Sequence, residues 1–141
     1  MKRQDVLARL VSDVRADLVD YQHLHTQLQA QFQAAVCHDT DTLTTLAEEI
    51  TALVETLDQR RRDRVRLAGS LLGGQGAVTI PVLMHSLPDA VRDALQPLWL
   101  RLEALVSQCK GLNIRNCHLM VEQQAIMLRV LHGEEALYAE A

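Results

Sequence analysis

The stretch from Pro97 to His132, PLWLRLEALVSQCKGLNIRNCHLMVEQQAIMLRVLH, constrains the fold of this chain more than any other. Leu98, Leu102, Leu105, Cys109, Leu112, Asn116, Leu119, Gln123, Ile126 and Val130 follow one another in alternating steps of four and three. That is a heptad seam kept up through most of five repeats, the mark of a helix packed lengthwise on other helices. Pro97 suits a first helical turn, where its missing N–H is not needed. Gly133 suits a C-cap. The expected helix therefore starts afresh at Pro97 and covers 97–132. At 1.5 Å per residue it is about 54 Å long, more than the width of a compact small domain, so partner helices must run alongside it.

Two partners lie upstream. Over 3–36, Leu7, Val11, Val14, Leu18, Tyr21, His25, Leu28, Phe32 and Ala35 keep the same rhythm, with Arg9, Asp13, Asp17, Gln27 and Gln29 between them. The segment His38-Asp39-Thr40-Asp41-Thr42 breaks it, because Asp and Thr bond to nearby backbone and favour caps over helix interiors. So short a connection makes an antiparallel hairpin. The second helix is expected over 42–71, with a stripe of Leu43, Leu46, Ile50, Leu53, Leu57, Arg64, Ala68 and Leu71. Glu48 and Glu49 in its early turns and the run QRRRDRVR in its late ones match the helix dipole. That run reads as a solvated helix end pairing with acids on a neighbour, or as a docking patch for an acidic partner.

Gly73, Gly74 and Gly76 mark a flexible joint at 73–77. It follows a helix and lacks Lys-Ser/Thr, so it is not a phosphate loop. In the connector 77–96, Thr79 is placed to cap a short helix with Pro81 in its first turn, and Ser86 to cap another from Pro88. The expected architecture is all-α: an elongated, coiled-coil-like antiparallel bundle of three long helices, with one or two short helices in the connector 77–96. It forms a single domain over 1–141, with a short frayed tail at 134–141.

Composition supports helix over sheet: aromatic residues are 3% of the chain, and the apolar residues are mainly Leu, Val and Ala. The net charge of −4 leaves no global basic field to hold nucleic acid or an anionic membrane. Gln4, Asp5, Arg9 and Asp13 interrupt any signal-peptide core, and no run approaches a membrane span. A cytoplasmic location without membrane insertion is expected, with Cys37, Cys109 and Cys117 as free thiols.

Chemistry finds little purchase. Cys37-His38 and Cys117-His118 are adjacent pairs whose side chains point about 100° apart on a helix. No Cys-x-x-Cys or His-x-x-x-His pair accompanies them, so no metal is expected. His25 sits at a core position with no nucleophile or carboxylate pair beside it. Ser70, Ser86 and Ser107 lack a Gly-x-Ser-x-Gly setting. No enzyme and no cofactor are expected. Asn116 lies on the seam, where a buried amide sets register and pairing; Asn113 lies one position off it. These two read equally as register devices or as polar features of a binding surface.

A second apolar surface is more informative. Leu100, Ala104, Ile114, Val121, Ala125 and Leu128 lie roughly opposite the seam, and Trp99, Val106, Met120 and Met127 flank it. A helix touching two neighbours does not need apolar residues nearly all round. Either 77–96 folds back over this surface, or a partner covers it.

The residues Leu98-Trp99, Leu102, Leu105, Leu112-Asn113 and Asn116, within CKGLNIRNCHLM, give this region its resemblance to the FlgN family of flagellar export chaperones, which shows a similar Leu-Asn-x-x-Asn-Gly pattern in its last long helix. ETLDQRRRDRVRL resembles the family's Leu-rich helix ending in paired arginines, and the helical layout matches along nearly the whole chain. Cys117 departs from the family, which has Gly there. The resemblance implies a chaperone for the hook-associated (hook–filament junction) proteins. It would bind their C-terminal helical segment, prevent premature assembly and deliver them to the export gate of the type III apparatus, without ATP or metal. Trp99, Leu100, Asn113, Ile114, Asn116, Met120, Val121 and Leu128 are then the expected client-facing residues, with Asn113 and Asn116 supplying register. The competing expectation is a structural coiled-coil module without a client, its second face a homodimer interface.

Overall fold

The computed structural model describes residues 2–71, 73 and 79–140, with side chains described as far as 133. These residues form α1 (Arg3–Val36), α2 (Thr40–Leu71), the short α3 (Ile80–Met84) and α4 (Asp89–Glu140), with no strand among them. α1 lies between α2 and α4 and packs along both.

α1 covers the expected 3–36 and ends where its heptad stripe does. Its end is a Schellman arrangement: the N–H of Asp39 donates to Ala34 O at 2.9 Å and that of His38 to Ala35 O at 3.1 Å. His38 takes the left-handed conformation (φ 54°) usual for glycine there, at a cost of about 1–2 kcal/mol. α2 starts at Thr40, two residues before the expected Thr42, because Asp39 is the cap. Its carboxylate accepts from the Thr42 N–H at 3.2 Å and the Thr42 hydroxyl at 2.7 Å. These bonds favour the charged form and hold the Asp39 carboxyl below its ordinary range.

α2 runs antiparallel to α1. Asp17 meets Arg60 and Arg64, while Gln27, further along α1, meets Glu49, further back on α2. α4 runs parallel to α1 in a fixed register. The Cys109 thiol donates to Tyr21 O at 3.5 Å, the Asn116 amide to Leu28 O at 2.7 Å and the Gln123 amide to Ala35 O at 2.8 Å, each pair 88 residues apart. The three donors sit seven residues apart on the seam, so one heptad repeat of polar side chains grips backbone carbonyls of α1.

Apolar side chains fill the rest. The larger core lies at the base, where Leu7, Leu10 and Val14 of α1 meet Ala68 of α2, Ile80, Leu83 and Met84 of α3, and Leu95 and Leu102 of α4. Higher up, Leu24, Leu28, Leu57 and Cys109 form a second cluster. Burial raises the pKa of the Cys109 thiol, which packs as a small apolar group.

Several expected boundaries change. α4 does not restart at Pro97 but runs through it from Asp89. Proline there removes one helical bond, and packing of Leu95 and Leu102 into the base core on either side holds the helix together. Thr79 caps α3 as expected, accepting from the Val82 N–H, with Pro81 in the first turn. Ser86 caps nothing: its hydroxyl donates to Leu83 O. The helix expected from Pro88 is the start of α4, so the connector holds one short helix. Arg92 closes the far end of α3, donating to Met84 O at 2.9 Å and Leu87 O at 3.0 Å. Gly133 does not end α4, and 134–140 is helical rather than frayed, as suits a sequence rich in Glu, Ala and Leu. Of the joint expected at 73–77, all but Gly73 lies outside the described residues. Gly73 itself is left-handed at φ 58°.

Candidate functional site: the unpartnered length of α4

The register between α1 and α4 decides which part of the seam is core. With an offset of 88, Val36, the last residue of α1, lies level with residue 124 of α4. From there α4 continues to Glu140 with no helix alongside among the described residues, an overhang of about 24 Å at 1.5 Å per residue. The apolar pattern does not stop where the partner does. Ile126, Met127, Val130 and Leu131 lie within about 80° of the direction of Asn116 on a helix turning 100° per residue. They continue the seam, and all are exposed, Met127 by 59%.

A second apolar strip occupies the far side of α4. Ile114, Val121 and Leu128, seven residues apart, are exposed by 57%, 64% and 49%. α3 does not fold back over them; it packs into the base core.

The eight expected client-facing residues divide accordingly. Leu100, Asn113, Ile114, Val121 and Leu128 are exposed, and Met120 is half-buried. Leu100 stands about 21 Å from Ile114 along the axis, so these residues make no single patch. Asn116 is fully buried at 0% exposure, so its expected place on a client-facing surface is corrected. Its amide donates to Leu28 O and to Gln31 Oε1, and its oxygen accepts from Arg115. With every polar group of the amide engaged, it sets register within the chain. The Arg115 guanidinium lies 3.7 Å from the centroid of the Phe32 ring, which steadies it against Asn116.

Trp99 is half-buried at a junction of three helices. Asp17 of α1, 1% exposed, accepts from Arg60 at 2.7 Å and Arg64 at 2.6 Å, and the Arg64 guanidinium lies over the Trp99 ring at 5.5 Å. Burial opposes the charge on Arg60, but its bonds to Asp17 and Asp20 outweigh that and raise its pKa. The arginine run is thus divided. Arg60 and Arg64 point inward onto α1, while Arg61 and Arg62 pair with Asp58, and Arg66 with Asp63, on the outer side of α2.

Sequence reasoning placed Ile126 and Val130 on the seam as packed residues and missed that they are bare. The signal was available: the stripe of the first helix ends at Ala35, while that of the last continues. Arg64 in the stripe of α2 likewise called for a buried acid, and Asp17, three residues after Val14, supplies it.

Among the described residues, no group of three or more His, Cys, Asp or Glu side chains is arranged to hold a metal ion, and no helix is long and apolar enough to cross a membrane. What the arrangement offers is a long helix with exposed apolar side chains at helical spacing, in a protein that is all-helical among the described residues. The chain belongs to the FlgN family: the family's model, described as FlgN protein, matches residues 1–132. That family is one of flagellar export chaperones and is not known as an enzyme family. No curated protein and no solved structure matches the chain.

Proposed function

We propose that this chain is a non-enzymatic cytoplasmic chaperone of flagellar export. It binds the C-terminal helical segment of a hook-associated protein, prevents its premature assembly and delivers it to the type III export apparatus. The observation that carries the reading is the bare seam of α4. A client helix that later packs in a filament carries an apolar stripe beforehand, and Ile126, Met127, Val130 and Leu131 offer the matching surface. Val121 and Leu128 extend the contact around the helix; Asn113, Ile114 and Met120 lie further down it, and Trp99 and Leu100 flank the base. A client segment that folds as it binds gives reversible association, as handover requires.

The test is calorimetric titration of the full chain with C-terminal peptides of the junction proteins from the same genome. Saturable binding with a negative heat-capacity change is expected, and it should be lost in a Met127→Ser/Val130→Ser variant whose unfolding is unchanged. Ile114→Asp with Val121→Asp asks whether the far-side strip shares the contact: lost binding with helicity kept extends the seat to it, and unchanged binding confines the client to the seam. A second reading, self-association without a client, draws on the same Ile114–Val121–Leu128 strip. It is favoured if sedimentation equilibrium finds a tight dimer and no peptide binds.

A further inference from the structure

We propose that the overhang of α4 receives an amphipathic helix whose polar flanks are basic, seated as a collinear continuation of α1. The inference rests on the docking reading above and adds the placement and charge of the partner.

Placement follows from register. α1 and α4 run parallel, locked by the three seam bonds that end at Gln123 and Ala35. A helix laid on Ile126, Met127, Val130 and Leu131 occupies the line that α1 would follow had it not stopped at Val36. Its near end abuts the turn between α1 and α2.

Charge at that turn is one-sided. Between Arg15 and Arg60 the chain carries no lysine or arginine. Asp39 and Asp41 lie at the turn, Glu48 and Glu49 stand a little over two turns down α2, where Glu49 accepts from Gln27, and all four are exposed. Among the described residues none of these four takes part in an ion pair. Exposed Glu122 adds to them from α4. The arginines of α2 are gathered at the opposite end of the hairpin, on Asp17, Asp20, Asp58 and Asp63. Arg129, the one lysine or arginine on the overhang, lies about 140° around the helix from Asn116, away from the seam, so a basic flank finds complementary charge at the turn and an acidic flank meets repulsion.

The same charge disfavours a second copy as occupant. After Arg129 the sequence carries only acidic charges, at Glu134, Glu135 and Glu140. Residues 122–141 carry Glu122, Glu134, Glu135 and Glu140 against Arg129 alone, so two overhangs would meet with like net charge.

The experiment uses the full chain and two designed helical peptides of about three heptads with the same Leu/Ile stripe, one flanked by Lys and one by Glu. Fluorescence anisotropy should find the Lys peptide bound about tenfold tighter at low salt, with the gap closing toward about 1 M salt. Asp41→Asn with Glu48→Gln, neither of them the cap of α2, should narrow the gap with only a slight fall in Tm from the first-turn charge of Asp41. Met127→Ser/Val130→Ser should lose both peptides. Equal affinities at low salt overturn the charge selection and leave the docking reading standing. Binding that ignores the serine substitutions overturns the placement, and binding of neither peptide overturns both. A dimer that the Lys peptide does not displace and that Met127→Ser/Val130→Ser dissociates assigns the overhang to a second copy and overturns the proposal.

Discussion

α4 is one helix with two fates. From Leu95 to Gln123 its seam is in contact with α1, buries Leu95, Leu102, Cys109 and Asn116, and is pinned by three hydrogen bonds to backbone. From Gln124 onward the same repeat continues with every described side chain exposed. The pattern of residues is alike in the two lengths; what differs is whether α1 is there. A heptad seam is therefore a statement about having a partner, and the length of the neighbouring helix decides whether that partner is internal. In the packed length apolar side chains contribute to stability. In the overhang the same residue types stay exposed and bury nothing on folding, which is why the proposed docking is placed there.

The largest expected effect tests the polar side of the packed length. Asp17 is buried between Arg60 and Arg64 and is the acceptor for both. Asp17→Ala leaves Arg64 buried over Trp99 without a counter-charge, and removal of one partner from such a cluster costs about 3–5 kcal/mol. Urea unfolding followed by far-ultraviolet circular dichroism measures it. A loss below about 1 kcal/mol would mean that the junction is solvated, and that the packed length resembles the overhang more than its burial implies.

A matched pair on the seam tests the contrast directly. Leu102→Ala empties a site in the base core and should cost about 2–5 kcal/mol. Val130→Ala, on the same seam four heptads along, removes a side chain that touches no other helix and should change stability by less than about 0.5 kcal/mol. Peptide binding should show the reverse order, with Val130→Ala the weaker binder. Equal stability losses would mean that the overhang is packed in solution, by a second copy or by the chain itself, and the comparison would fail.

The sequence made the long helices legible because each carries an unbroken stripe, and Asp39 and Gly73 punctuate them as such residues should. It made Asn116 legible as a polar seam residue but not its direction, since a seam amide satisfies either an internal neighbour or an external one. Only the α1–α4 register shows Leu28 O and Gln31 waiting for it. Pro97 misled for a related reason: local chemistry ends helices at proline, while Leu95 and Leu102, held in the core on either side, carry this one through. The unequal stripes pointed to the overhang but did not give its length, because helix ends depend on caps at His38 and Asp39 in one chain segment and on their absence at Gly133 in another. Periodicity reports faces, not where a neighbour stops.

The smallest effects sharpen the comparison through pH. Asp13 of the packed length and Asp39 at the turn where α1 stops have opposite surroundings. Burial raises the pKa of Asp13, despite the opposing charges of Arg9, Arg60 and Arg64. Its contribution to stability is therefore complete below the unfolded value near 3.8 and is lost as pH rises through the higher folded value. Asp13→Asn should be more stable than the parent near neutrality, and the difference should vanish in acid. Asp39, lowered by its bonds to Thr42, behaves the other way. Its contribution is present above the unfolded value near 3.8 and fades as pH falls through the lower folded value. Asp39→Asn keeps a capping oxygen but not the charge, so it should be less stable near neutrality and converge with the parent in acid. Urea midpoints of the two variants at neutral and acid pH should thus move in opposite directions from the parent. Movement in one direction for both would mean that burial at the base and hydrogen bonding at the turn do not distinguish the two ends of the hairpin, and the turn would then lose its place as a solvated, charged seat beside the overhang.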